Sequence, residues 1–244
     1  MRTTSKTTPH KSLILQILIV TISCIACASS PQQVEVYQPE QATSKGSNTA
    51  WTEAARLDDV IDPAQFDDAA ARAAIFYATN EQRQKHNLPL LTRSAALEAS
   101  SQLHAERMKK HNFFDHIDQT GDSRFKRPDD RARQVGVTNP HVAENIAIEN
   151  LLSTPSGQSV FRVEGEVGVY SKTAGGPPIR LLTYAEFGRR VVNGWMNSPG
   201  HRQNILHKDA LELGGGAAFY YQDNFPSMYA VQNFQFFEPV TTSE

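Results

Sequence analysis

The chain has 244 residues, 39% of them hydrophobic, enough apolar material for one well-cored domain. It carries 24 basic and 26 acidic residues. That balance lacks the basic excess of a nucleic-acid binder, so no nucleic-acid partner is expected.

Residues 1–27 read as an export signal. Arg2, Lys6 and Lys11 form a positive start, and the apolar run from Ser12 to Ala26 is short for a bilayer span and is followed by small residues. Removing those three cations from the 24 leaves 21 basic against 26 acidic residues, a net charge of −5. Both cysteines, Cys24 and Cys27, close the run. SCIACASS resembles a bacterial lipoprotein signal, in which cleavage precedes a cysteine that then carries lipid. The resemblance assigns the lipid to Cys27 and implies a cell-envelope location, held to a membrane through the anchor. Cys24 occupies the position where such signals usually have leucine. Lipidation of Cys24, or ordinary cleavage near Ala28 to give a secreted protein, are the alternatives. The mature domain has no disulfide, so its core must supply its stability.

Residues 28–62 are rich in Ser, Gln, Thr, Pro and acid and read as a flexible tether. The domain is expected over 63–240. Phe66, Ala70, Ala73, Ala74 and Tyr77 have helical spacing, and Asn87 before Leu88-Pro89 ends that helix. A second helix follows from Thr92, its expected N-cap, with Leu97, Ser101, His104, Met108 and His111 on one stripe. FFDHID is a turn anchored by Phe113 and Phe114. Pro128 opens a short basic helix through Gln134, closed by Gly136. Its cluster Arg124, Lys126, Arg127, Arg131 and Arg133, interrupted by Asp129 and Asp130, reads as a solvated face.

Residues 150–182 read as an insertion, with a hairpin in SVFRVEGEVGVY. Thr183 and Glu186 form a capping box for a helix from Tyr184 to Met196. LELGGGAAFYYQ and MYAVQNFQFF read as late strands. Helices followed by late strands give an α+β layered fold.

Three residues stand out for chemistry. In WMNSPGHRQNIL, Ser198 is a good N-cap and Pro199 suits the first helical position, so His201 falls in a helix's first turn. The helix dipole there disfavours an imidazolium, leaving a neutral ring able to ligate metal or accept a proton. Gly200 is expected to allow close packing, and Ile205 and Leu206 to anchor the helix. The plain alternative is a capped turn with an exposed histidine. Glu144 sits among Val142, Ala143, Ile146 and Ala147, where a carboxylate needs water or a partner such as a histidine or a cation. Its plain alternative is a helix-start carboxylate. His116, in the FFDHID turn, is either structural or a ligand. His104 reads as a satisfied core histidine. No HExxH, paired CxxC, GxSxG or phosphate loop is present.

The ordered set FFDH, VAENIA, VVNGWMNSPGHRQNIL and YAVQNF resembles the bacterial branch of the CAP superfamily, the SCP/PR-1-like domain. NEQRQKHNLPLL and LEASSQLHAERM are similar to its first two helices, and the likeness spans Phe66 to Phe237 apart from the insertion. The resemblance implies a three-layer α-β-α sandwich with an open cleft where histidines and glutamates bind a divalent cation. It assigns His116, Glu144 and His201 as the metal ligands. Zinc fits three such ligands with a fourth position open, ahead of calcium or magnesium. Ser198 and Tyr229 stand where the eukaryotic branch has a second glutamate and a second histidine. The function implied is binding of an envelope or extracellular ligand, with no enzyme activity assigned. The rival is a metal-dependent hydrolase of peptide or cell-wall substrates, with Glu144 as base.

Overall fold

The computed structural model describes residues 56–155 and 157–236, so the export signal, both cysteines and most of the tether lie outside the described residues. The last part of the expected tether belongs to the domain. Ile61 is buried and its N–H donates to Leu182 O, while the amides of Tyr184 and Ala185 donate to Asp59 O and Leu57 O. Two apolar residues in a polar segment are enough to dock it.

Helix α1 is Asp68–Lys85, capped by the Asp67 carboxylate, which accepts from Ala70 N. Its buried residues include Ala70, Ala71, Ala73, Ala74, Ile75 and Ala78, so Ala70, Ala73 and Ala74 are buried as expected, while Phe66 precedes the helix and Tyr77 is exposed. Asn87 ends the helix in the left-handed region, at φ 55°. The short strand β1, Thr92–Arg93, pairs parallel to β5, Glu212–Gln222. Thr92 is therefore a strand residue, and Ser94 is the N-cap of α2, Ala95–His111. Leu97, Ser101, His104 and Met108 are buried as expected, while His111 is exposed.

Helix α3 is Pro128–Gln134. Strand β2, Val142–Asn150, follows, where no strand was expected from the sequence. The inserted segment is closed at its base, Leu182 N donating to Leu151 O and Ser153 N to Arg180 O. Within it β3, Phe161–Arg162, and β4, Tyr170–Ser171, form a minimal hairpin. Helix α4 is Tyr184–Met196, with the Thr183–Glu186 capping box formed in both directions. Helix α5 is Pro199–Ile205. Strand β5 turns into β6, Phe225–Gln235, through Asp223 and Asn224, both at positive φ, as a two-residue hairpin requires.

The four-stranded sheet runs β1-β5-β6-β2, antiparallel except for β1 against β5. Its faces are set by GGG in β5. A Cβ on Gly214 or Gly216 would strike the backbone of α2, and one on Gly215 would crowd α1 at Arg72 O and Ile75. Alternation along the strand thus brings a helix close to each face. On the α2 side, the Ser101 hydroxyl donates to Gly214 O at 2.9 Å, and the Gln102 side chain exchanges two 2.9 Å hydrogen bonds with Ala217. On the other side α4 and α5 join α1, and Gly188 lets α4 close on Ala74. The result is the expected α+β, three-layer α-β-α sandwich. The main core, with Trp195, Phe187, Phe234, Leu213, Ile75 and Val191, fills the α1/α4 side. Among the described residues, no helix is long and apolar enough to cross a membrane.

Candidate functional site

Strand β2 forms one edge of the sheet and carries the site. Alternation sends Glu144 towards α2 and α3, and Asn145 towards α5. The motif around His201 braces this edge. Trp195 Nε1 donates to Ile146 O at 3.1 Å, and Asn204 Nδ2 donates to Asn145 Oδ1 at 2.8 Å and to Glu144 O at 3.5 Å. The Asn145 amide donates to His201 O at 3.2 Å and to Gln232 Oε1 at 3.0 Å, and Gln232 in turn donates to the Thr79 hydroxyl. The aromatic and the asparagine at the two ends of the motif are thus donors to strand carbonyls.

Glu144 has no side-chain exposure, and its main partner is Arg131 of α3, equally inaccessible. Arg131 Nη2 donates to Oε1 at 2.9 Å and to Oε2 at 2.7 Å. His116 Nδ1 donates to Oε1 at 3.0 Å, and His104 Nε2 lies 3.7 Å from the same oxygen. Burial alone would raise the Glu144 pKa, but the charge of Arg131 leads the opposing influences and holds the carboxyl below its usual range. Glu144 is therefore an ionised, structurally committed carboxylate.

This corrects the reading of the basic cluster as a solvated face at Arg131 alone, since Arg124, Lys126, Arg127 and Arg133 are exposed as expected. Arg131 is fully buried while Arg133 is half-exposed, because Arg131 lies on the side of α3 that meets β2 and α2. It also supplies the cation that Glu144 was expected to need. The FFDHID turn is anchored by Phe113, which packs on the smaller core cluster, and by polar contacts. Arg131 donates to His116 O at 3.2 Å and to Phe125 O at 2.9 Å, His104 Nε2 donates to Asp115 O at 3.0 Å, and Arg107 Nε holds Asp118 at 2.6 Å. Burial would raise Asp118, yet Arg107 and Thr120 bring it down to about 2. Phe114 is 46% exposed and anchors less than expected.

The three histidines differ. His104 is wholly buried, and burial pushes its pKa down to about 4, so it is neutral. With Nε2 donating to Asp115 O, its Nδ1 is buried without a partner among the described residues. The expectation of a satisfied core histidine is met at one nitrogen only. The His116 side chain is 45% exposed, and its hydrogen bond to Glu144 raises its pKa against the effect of burial. His201, in the first turn of α5, is partly buried, and its pKa is lowered by that burial and next by the charge of His116. The direction is the one expected from the helix dipole, but it comes from burial and a charged neighbour. Gly200 packs against nothing nearby, contrary to expectation, and Ser198 occupies the N-cap position without a side-chain hydrogen bond. Tyr229 is buried, its ring stacked on Tyr220 at 4.3 Å between centroids.

The structure thus joins His116 to Glu144 directly and brings His201 near enough for His116's charge to act on it. It adds Arg131 and His104. The expected divalent ion is a poor fit to this arrangement: both Glu144 oxygens face a guanidinium. Among the described residues no three His, Cys, Asp or Glu side chains stand where they could hold a metal ion. No local signal separates Arg131 from Arg127 or Arg133; only the placement of α3 on β2 does.

The sequence model of the CAP family, described as the cysteine-rich secretory protein family, matches residues 76–234. The uncharacterized protein YkwD of Bacillus subtilis (strain 168) is 26% identical over 191 residues, covering 76% of this chain and 59% of that protein. This chain thus spans less than two thirds of that relative. An extracellular protein containing a SCP domain from Bacillus anthracis is similar at 24% identity and TM-score 0.46, covering 69% of this chain and 41% of that one. An outer surface protein of Borrelia burgdorferi is similar at 20% identity and TM-score 0.42, covering 66% and 88%.

Proposed function

The chain belongs to the CAP family, and from that premise we propose that it is an exported binding module of the bacterial cell envelope, tethered by lipid at Cys27, rather than an enzyme. The carrying observation is His116: a half-exposed imidazole with one nitrogen fixed on buried Glu144, beside His201. Fixing the Nδ1 proton on Glu144 leaves Nε2 oriented towards a ligand, as an acceptor when the ring is neutral and as a donor when it is protonated. Phe114 and Ile117 flank it in sequence and are both exposed, giving an apolar margin to a polar centre. Relatives described as extracellular and as outer surface proteins support placement outside the cell.

Glu144 weighs against the hydrolase reading. A general base works best with a pKa near the working pH. Glu144 is held below the ordinary carboxyl range, and both its oxygens are engaged by Arg131. The test is to add soluble glycan and peptide fragments of the cell envelope to the full chain and follow the imidazole resonances. A binding module gives saturable shifts at His116 and His201 that vanish in His116→Ala, with the fragments recovered intact. Cleavage of the fragments by wild type but not by Glu144→Gln would replace this reading with the hydrolase.

A further inference from the structure

An ionised carboxylate without solvent exposure needs a positive partner. At Glu144 that partner is Arg131, whose Nη2 reaches both oxygens while Nη1 donates to Phe125 O and His116 O. The guanidinium is therefore fixed from two sides, by the carboxylate and by the backbone around His116. It cannot leave Glu144 without also releasing those carbonyls. The histidines are committed in the same sense. His116 Nδ1 points its proton at Glu144, and His104 Nε2 points its proton at Asp115 O. The nitrogens nearest the carboxylate present hydrogen atoms, whereas a metal ligand must present a lone pair. A divalent ion bound to Glu144 would also sit about 2 Å from its oxygen, against the charge of Arg131.

From these contacts we propose that Arg131 is the resident cation of the site, neutralising Glu144 and orienting His116 so that the site is charged and ordered without metal. Arg131 is a positioning residue, acting on His116 through Glu144. This goes beyond the binding reading and stands whether or not a ligand is found.

The full chain is unfolded thermally under circular dichroism, first with EDTA and then with zinc, calcium or magnesium chloride at millimolar concentration. The wild-type midpoint is expected to stay where EDTA leaves it. Arg131→Met is expected to lower the midpoint, and adding Glu144→Gln to Arg131→Met to recover most of the loss, since the stranded charge is then gone. A metal-induced rise in wild type that disappears in Glu144→Gln overturns the proposal, because a cation then reaches the carboxylate despite Arg131. A rise of equal size in Glu144→Gln comes from metal bound elsewhere and agrees with it. A double variant no more stable than Arg131→Met also overturns it, because packing and not charge would then be what Arg131 supplies. Should Arg131→Met fail to fold, folding of the double variant and the wild-type metal response still decide the matter.

Discussion

His116 Nδ1 stands 3.0 Å from Glu144 Oε1, yet the His116 side chain is 45% exposed and that of Glu144 not at all. The pair carries charge from the interior to the surface. The hydrogen bond to Glu144 is the largest influence on His116 and raises its pKa above 6.5. In Glu144→Gln the hydrogen bond to a charged partner and the charge of Glu144 are lost, leaving Asp115 to raise the value while burial and Arg131 push it down. The His116 midpoint followed by NMR is expected to fall. The stability gained from the raised pKa is fully present below pH 6.5 and fades as pH climbs through the folded-state value. An unchanged midpoint in Glu144→Gln would contradict the assignment.

His104 predicts an opposite pH response. Its pKa drops from 6.5 unfolded to about 4 folded, so the native state favours the neutral ring. That contribution is complete above pH 6.5 and is lost as pH falls towards 4, about 3 kcal/mol for one group at this shift. Urea unfolding at a series of pH values should show wild type losing stability over this window. His104→Gln, which can keep the bond to Asp115 O, should show a flatter profile. Parallel profiles would assign the acid sensitivity to other groups.

Gly216 and Gly200 should respond oppositely to alanine. A Cβ at Gly216 meets the backbone of Ser101 and Gln102, whereas at Gly200 nothing lies within 4 Å. Gly216→Ala should cost about 1–3 kcal/mol or more from overpacking between sheet and helix. Gly200→Ala lies within α5 and should be neutral or stabilising by up to about 1 kcal/mol. Denaturant midpoints of the two variants settle it.

These contrasts mark what was legible in the sequence. Tyr184–Met196 was readable to the residue because Thr183 and Glu186 supply its cap locally. GGG was readable as strand, but its role in seating two helices depends on what lies across each face. Strand β2 was missed because Val142–Asn150 interleaves a buried ion-pair partner and a buried amide with its apolar residues, which blurs the alternation. His116, Glu144 and His201 stand out one by one from their local chemistry, and only the family resemblance joins them into one site. Arg131 was not, since its neighbours in sequence are solvated arginines and its partner lies 13 residues away.

The lipid anchor is tested in a bacterial host by metabolic labelling with a fatty acid. Label should appear in wild type and in Cys24→Ser and be absent from Cys27→Ser, with the unlabelled protein released from the membrane fraction. Label lost only in Cys24→Ser would move the anchor to the earlier cysteine.

A sheet edge with free carbonyls is a template on which a second chain can lay a strand. Here the outward carbonyls of Glu144, Ile146 and Asn150 are met by Asn204, Trp195 and Arg190. Side chains from helices close the ladder that another strand would extend. A neighbouring copy therefore finds these three carbonyls already engaged, which leaves less of this edge on which crowding at a surface could build a fibre.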